Sequence, residues 1–129
     1  MNNLTIEKTR STPYIHFDAD SNVLRITGES FPENAAKFYA PVFAWLEEYL
    51  RTVGSQEITV EFEIIYFNSS TSKVFMTILD MLEKAVEEGK KVTVNWRCHE
   101  ENETALECGE EFKEDLEKLP FHIVTIQGE

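Results

Sequence analysis

The run of alternating side chains at residues 57–67 is the sequence feature that most constrains the fold. Successive side chains of a β-strand point to opposite faces of a sheet, so this alternation predicts a strand. Residues 91–98 repeat the pattern, and residues 74–89 between them place apolar side chains every three or four positions, as on one face of a helix. A strand–helix–strand crossover implies parallel neighbours. One face of the first run carries Ile58, Val60, Phe62, Ile64 and Tyr66, and the other carries Thr59, Glu61, Glu63, Ile65 and Phe67.

Each of these two predicted strands has one polar face. A strand covered by helices on both sides would be apolar on both faces. The sheet is therefore expected to carry helices on one face and to be open to water or to a partner on the other. Glu61 and Glu63 are expected to meet Arg25 or Arg97 on the open face.

The rest of the sequence predicts an α/β fold, with a mixed sheet of about six strands and three helices packed on one face. Short strands are predicted at residues 4–8, 14–17 and 23–27, and a last one at 122–127. A first helix begins near Pro32 and ends at Gly54, and Pro41 is expected to kink it or to mark where its regular part begins. The second helix ends at Gly89 and turns Glu83 outward. A third covers residues 103–119, with Leu116 and Leu119 facing inward.

Composition narrows the classes of function. A length of 129 residues, of which 42% are hydrophobic, indicates one domain over residues 1–129. A net charge of −12 argues against nucleic acid and anionic lipid as partners. The sequence contains no run of about 18 apolar residues, so membrane insertion is not expected. The N-terminus lacks an apolar signal core, and Cys98 and Cys108 are too few for a disulfide scaffold, so a cytoplasmic location is expected.

The turn between strand and second helix, residues 66–73, reads Tyr-Phe-Asn-Ser-Ser-Thr-Ser-Lys. A helix start needs one capping hydroxyl, and its unpaired N–H groups and positive dipole end favour an anion such as phosphate. Two interpretations remain open: a phosphorylation switch on an adaptor protein, or a capping turn with surplus polar residues. Phe67 beside it is either an exposed docking anchor or a side chain tucked under the helix. The four adjacent hydroxyls are Ser69, Ser70, Thr71 and Ser72.

Other chemistries find less support in the sequence. The serine turn lacks flanking glycines, and His16, His99 and His122 lie elsewhere, so serine catalysis is not expected. Cys98, His99 and Cys108 lack the paired spacing of a zinc module, and no glycine-rich phosphate loop is present, so neither metal nor cofactor is expected. The alternatives are a small-ligand-binding domain or enzyme that uses the acidic third helix or the open sheet face, and an oligomerisation module.

The strand order and the serine turn resemble the STAS fold of anti-anti-sigma factors, in which a hydroxyl after an Asp is phosphorylated. The glycine that follows in that class is absent here. The chain more closely resembles the SiaC family of regulatory phosphoproteins over nearly its whole length. The resemblance rests on Ser-Thr-Pro at 11–13, Pro-Glu-Asn at 32–34 and the turn at 66–73, and continues through residues 78–80 and 110–112.

This resemblance implies a partner switch that is not an enzyme. One hydroxyl is phosphorylated by a SiaB-like protein kinase and dephosphorylated by a SiaA-like phosphatase of the PP2C type. The unphosphorylated form binds and activates a SiaD-like diguanylate cyclase and so raises cyclic-di-GMP. The family's phosphorylated threonine follows the Asn directly, which implies Ser69 here, with Ser70 as second choice. The expected partner-binding residues are Phe67, Asn68, Ser69, Ser70, Thr71 and Lys73.

Overall fold

The computed structural model describes residues 1–127. Nine elements follow one another along this part of the chain: β1 (Leu4–Ile6), β2 (Tyr14–Asp18), β3 (Val23–Ser30), α1 (Ala35–Thr52), β4 (Glu57–Phe67), α2 (Ser69–Glu87), β5 (Lys91–His99), α3 (Glu103–Glu114) and β6 (Phe121–Ile126). None of the helices described is long and apolar enough to cross a membrane.

The six strands form one mixed sheet in sequence order. β1, β2 and β3 pair antiparallel as a meander, whereas β3, β4, β5 and β6 pair parallel through the three helical crossovers. Right-handed crossovers place consecutive helices on the same side of such a sheet. The predicted mixed α/β sheet with three helices is confirmed.

The core lies on the helix-covered face. Alternate residues of β4 and β5 are buried there, among them Phe62 and Trp96, which are fully buried. Trp96 Nε1 donates a hydrogen bond to Ala105 O (2.9 Å), which holds α3 against β5. Gly109 permits this approach, because a Cβ there would lie 2.5 Å from Trp96 Cδ1.

The open face carries the ion pairs that the alternation predicted. Arg25 Nε lies 3.1 Å from Glu61 Oε1, and Arg97 Nε lies 3.1 Å from Glu63 Oε1. Both pairs link neighbouring strands in register. Exposed pairs of this kind contribute about 0–1 kcal/mol each, so burial on the other face dominates stability.

One of the two alternatives for Pro41 is excluded, and one predicted helix boundary is wrong. α1 is already regular at Ala35, where Asn34 caps it, so Pro41 lies inside the helix and does not begin its regular part. α3 ends at Glu114 instead of near residue 119. The segment after α3 is held by Glu83, whose carboxylate accepts hydrogen bonds from the backbone N–H groups of residues 117, 118 and 119 at 2.8, 2.8 and 2.6 Å. Glu83 therefore stabilises that segment and is not simply an outward-facing residue.

Candidate functional site

Asn68 organises the start of α2. Its side-chain oxygen accepts hydrogen bonds from Thr71 N (3.0 Å) and Ser70 Oγ (3.1 Å), and its carbonyl accepts one from Ser72 N (3.0 Å). The backbone N–H groups of Ser69 and Ser70 have no partner among residues 1–127. The first turn therefore keeps two donors that point out of the helix start, where the helix dipole also favours an anion.

The four adjacent hydroxyls have different environments. Ser69 and Ser70 are exposed, Ser72 is half-buried and Thr71 is fully buried. Ser70 Oγ is engaged with Asn68, whereas Ser69 Oγ has no hydrogen-bond partner among the described residues. The prediction that Thr71 contacts a partner is wrong for its side chain, because that side chain is packed inside the protein.

Thr71 instead anchors α2 to the end of β3. Its hydroxyl donates to Ser30 O (3.1 Å) and lies 2.9 Å from Ser30 Oγ, which lies 2.7 Å from Tyr39 Oη. With one proton per hydroxyl, the chain runs from Tyr39 to Ser30 to Thr71 to the Ser30 carbonyl. Burial raises the pKa of Tyr39 to about 12, although its hydrogen bond with Ser30 acts in the opposite direction. The network is neutral at physiological pH and fully satisfied, so it fixes the helix start rigidly.

A β-bulge shapes the strand that precedes the turn. Gly28 pairs with Ile64 and Glu29 pairs with Tyr66, so Ile65 is the extra residue of β4. Gly28 has a φ of +112°, which glycine adopts readily. Asn102 Nδ2 donates to the carbonyl of Ile65 (2.9 Å), so the irregular backbone is satisfied by the residue that caps α3.

The bulge reverses the facing that alternation predicted for the last residues of β4. Tyr66 was expected on the apolar face, but it is 51% exposed, and Ile65 is 58% exposed. Phe67 turns back to the core, where its ring centroid lies 5.4 Å from that of Phe75 and 5.9 Å from that of Trp96. Of the two interpretations of Phe67, the ring contacts favour the one that tucks it under the helix, and its side chain is half-buried.

The three sequence motifs behind the family resemblance meet at this edge of the sheet. Phe31 N donates to Ser11 O (2.8 Å), and Asn68 N donates to Ser30 O (3.1 Å). The ring of Phe31 contacts the ring of Tyr66 edge-on at 5.8 Å. Backbone hydrogen bonds therefore join segments 11–13, 30–34 and 66–70 next to the exposed Ser69. Lys73 is exposed one helical turn later, on the same face as Ser69.

Each helix of the described chain begins with an asparagine cap: Asn34, Asn68 and Asn102. The helices follow β3, β4 and β5, which are parallel neighbours, so all three helix starts lie at the same edge of the sheet. These caps were not predicted from the sequence, although an Asn before each helical pattern is a recognisable signal. Ser30 and Tyr39 were not predicted either, because their contact depends on tertiary packing and leaves no signal in the sequence.

The residues of the alternative chemistries are not brought together. Cys98 is buried at the end of β5, and Cys108 lies in α3 with its pKa raised by burial and by Glu111 and Glu107. Within residues 1–127, no group of three or more His, Cys, Asp or Glu side chains is arranged to hold a metal ion. The exposed hydroxyl turn is therefore the best-defined candidate site in the described chain.

The six-stranded mixed sheet with three helical crossovers defines the class of fold as α/β, and the exposed hydroxyl at an asparagine-capped helix start is its candidate site. Residues 6–126 match the family described as SiaC family regulatory phosphoprotein. A curated, uncharacterised protein of Pseudomonas aeruginosa (strain UCBPP-PA14) is 37% identical over 123 residues, which cover 95% of this chain and 96% of the relative. The chain belongs to the SiaC family.

Solved structures agree with this assignment. Crystalline apo-SiaC from Pseudomonas aeruginosa superposes with a TM-score of 0.87 at 35% identity, over 96% of this chain and 99% of that one. A crystal structure of the diguanylate cyclase SiaD in complex with its activator SiaC, also from Pseudomonas aeruginosa, matches with a TM-score of 0.89 at 36% identity, over 95% of this chain and 99% of that one. The family is regulatory, and one relative forms a complex with a cyclase.

Proposed function

We propose that this protein is a partner-switching adaptor that acts by binding and not by catalysis. In the unphosphorylated state it binds and activates a diguanylate cyclase, and phosphorylation of Ser69 releases the cyclase. A protein kinase of the SiaB type adds the phosphate, and a PP2C-type phosphatase of the SiaA type removes it. The cyclase is supported by the complex of SiaD with SiaC, to which this chain is 36% identical.

The observation that carries the proposal is the difference between the hydroxyls of the turn. Ser69 is exposed and has no partner among the described residues, Ser70 is tied to Asn68, and Thr71 is buried in the network with Ser30. A kinase reaches an exposed, unengaged hydroxyl first. Ser69 also follows Asn68 directly and is the first residue of α2, so its phosphate would lie beside the free N–H groups of the helix start.

The charge of the phosphate explains the switch without a change of fold. Phosphorylation adds about −1.5 to −2 charges and three acceptor oxygens. Within the protein, the helix start and Lys73 stabilise that charge. A partner surface that fits the neutral turn must instead bury it, at a cost of several kcal/mol. Partner affinity therefore falls by orders of magnitude while the adaptor stays folded.

Phosphosite mapping tests this function. The protein is incubated with its cognate kinase and ATP, and the modified residue is located by mass spectrometry in wild type, Ser69→Ala and Ser70→Ala. We expect one phosphate on Ser69 in wild type, the same site in Ser70→Ala, and no transfer to Ser69→Ala. A phosphate on another residue of wild type, or undiminished transfer to Ser69→Ala, contradicts the proposal.

A further inference from the structure

The two edges of the sheet are formed by β1 and β6, and these strands differ in length and in side chains. β1 has three residues and is followed directly by the charged residues Glu7 and Lys8. β6 has six residues, none of them Lys, Arg, Asp, Glu or Pro, and it pairs with β5 in an unbroken register. Short strands, charges, prolines and bulges are the usual protection of a sheet edge against further pairing. β6 has none of these features.

The free edge of β6 consists of the backbone groups of every second residue. The carbonyls of Pro120 and Ile126 accept hydrogen bonds from the β5 side of the sheet, at 2.9 and 3.0 Å, so even-numbered residues turn their backbone groups toward β5. The N–H and C=O groups of the odd-numbered residues therefore point away from the sheet, and among residues 1–127 they have no hydrogen-bond partner. A further strand can pair with these groups. The odd-numbered residues of β6 are Phe121, Ile123 and Thr125.

Apolar side chains accompany the free backbone groups. Ile123, Val124 and Ile126 are only half-buried, and they lie on the two faces of the sheet beside the free edge. A strand that paired with β6 would cover them further, which is favourable by about 25 cal/mol per Å² of apolar area. Backbone groups and side chains of this edge therefore both favour a pairing partner.

We propose that β6 is the interface of a two-fold symmetric dimer of this protein, in which the β6 strands of two copies pair antiparallel and join the two sheets. Antiparallel pairing is the arrangement that a two-fold axis produces from two copies of one strand. With the axis at Ile123, this residue faces its own copy, and Phe121 of each copy faces Thr125 of the other. Each outward N–H then meets an outward C=O.

The side chains of β6 are compatible with this register. Ile123 and its copy form an apolar cross-strand pair on one face of the joined sheet. On the other face, His122 of each copy lies opposite Val124 of the other, so no like charges oppose each other. β6 offers no Lys, Arg, Asp or Glu that an acidic or basic partner segment could complement. A second copy of the same uncharged strand is therefore the partner that this edge fits.

Repulsion between the copies opposes the dimer and determines its salt dependence. Each copy has a net charge of −12, and α3, which packs beside β6, is rich in glutamate. Salt screens this repulsion, while the backbone hydrogen bonds and apolar contacts across β6 persist. Dimerisation should therefore strengthen when salt is added, which is the opposite of what an interface held by ion pairs would show.

The dimer leaves the hydroxyl turn free. Ser69 begins the helix that follows β4, and β5 separates β4 from β6. Antiparallel pairing also places the helix starts of the two copies at opposite ends of the joined sheet. Each copy therefore keeps its exposed Ser69, and the dimer does not depend on the proposed function.

Sedimentation equilibrium of the full chain tests for the dimer. Samples of about 1–300 µM cover the range expected for a small interface. We expect the average mass of wild type to rise with concentration toward twice the mass of one chain. The dissociation constant should fall at least about two-fold between about 150 and 500 mM NaCl. A protein that stays monomeric over this range, or a dimer that dissociates as salt is added, overturns the proposal.

Matched variants of one residue locate the interface. Thr125→Pro removes an outward N–H without removing a hydrogen bond to β5, whereas Thr125→Val keeps both that N–H and the branched side chain. We expect Thr125→Pro to raise the dissociation constant of the dimer by about ten-fold or more, and Thr125→Val by less than about three-fold. Thr125→Lys places a charge at the edge and should also weaken the dimer, so it replaces the proline variant if circular dichroism shows that variant to be unfolded. A dimer that is unchanged in the folded proline or lysine variant overturns the assignment to β6.

Hydrogen exchange reports directly on the backbone pairing. The amides of Phe121, Ile123 and Thr125 should exchange more slowly at a protein concentration at which the dimer predominates than at one at which the monomer does. The amides of β1, at the other edge, should exchange equally in both samples. Unchanged exchange at the three β6 amides in a dimeric sample contradicts the proposed pairing.

Discussion

The starts of α2 and α3 are built alike and differ in one charge. Each follows a central parallel strand, and each is capped by an asparagine whose side chain accepts from the N–H three residues later. The first helical residue is Ser69 in α2 and Glu103 in α3. α3 thus carries a permanent negative charge at the position where α2 has a hydroxyl. Phosphorylation of Ser69 would give the start of α2 a negative charge, as Glu103 gives the start of α3 permanently.

This difference separates stability from regulation. A negative charge at the first helical position is favourable to the helix, by about 0.3–1 kcal/mol. The Glu103 carboxylate shows that this fold accepts such a charge at an equivalent helix start. A phosphate on Ser69 should therefore leave the adaptor folded and change only what can dock beside it.

The largest expected effect is on partner binding by a charged variant of Ser69. Ser69→Asp should weaken affinity for the cyclase by about 100-fold or more, because the partner must bury an unpaired charge. Its thermal unfolding should stay close to that of wild type. Isothermal titration calorimetry and a thermal scan measure the two quantities, and Ser69→Asn, which has a similar size and no charge, is the matched control. Retained affinity in Ser69→Asp would reject the electrostatic mechanism.

The next effect concerns the rigid anchor beneath the turn. Thr71→Val keeps the size of the side chain but removes its hydrogen bonds to Ser30, which remains buried. We expect a loss of about 2 kcal/mol in the free energy of unfolding, from denaturant titration. Ser69→Ala should change it by less than about 0.5 kcal/mol. Similar losses in both variants would show that the two hydroxyls do not have separate roles.

The Glu83 carboxylate is an anion that already accepts hydrogen bonds from backbone N–H groups. It therefore indicates how much such hydrogen bonds contribute to the free energy of unfolding. Glu83→Ala should cost about 1–2 kcal/mol, because three donors of residues 117–119 lose their acceptor. Burial raises the pKa of Glu83, but the N–H groups lower it more, so the pKa lies below its ordinary value of 4.5. A depressed pKa stabilises the folded state above pH 4.5, and this contribution is lost as pH falls through the folded pKa. Urea titration from pH 7 to pH 3 should show a smaller loss of stability in the variant, and an equal loss would exclude this role.

The smallest effect is expected from the permanent charge of α3. Glu103→Ser makes the start of α3 resemble that of α2 and should cost about 0.5 kcal/mol. It should leave cyclase affinity unchanged within error, since Glu103 is not part of the proposed switch. Thermal unfolding at low salt measures the first quantity. A strong loss of binding in Glu103→Ser would place the partner on α3. It would contradict the claim that only the start of α2 takes part in the switch.

The sequence predicts much of the fold because β4 and β5 alternate clearly and the helices between them keep a regular period. It fails where that signal disappears. Residues 64–67 are all apolar, so the pattern cannot show that a bulge at Ile65 turns Tyr66 outward and Phe67 inward. Glu83 looks like a solvated helix residue, since its three partners are 34–36 positions away.

The candidate site was likewise predicted only in part from the sequence. The sequence indicates a hydroxyl-rich helix start, and the resemblance to the SiaC family selects Ser69. Burial then separates Ser69 from Thr71, which sequence cannot do, because both follow the same cap. The contact of Thr71 with Ser30 joins residues 41 positions apart and depends on the packing of α2 against β3.

The most direct test of the switch follows one sample through both states. The protein is phosphorylated to completion by its kinase, its affinity for the cyclase is measured, and the measurement is repeated after treatment with the PP2C-type phosphatase. The account predicts affinity at least about 100-fold weaker in the phosphorylated state and full recovery after treatment. Equal affinity in the two states would contradict it.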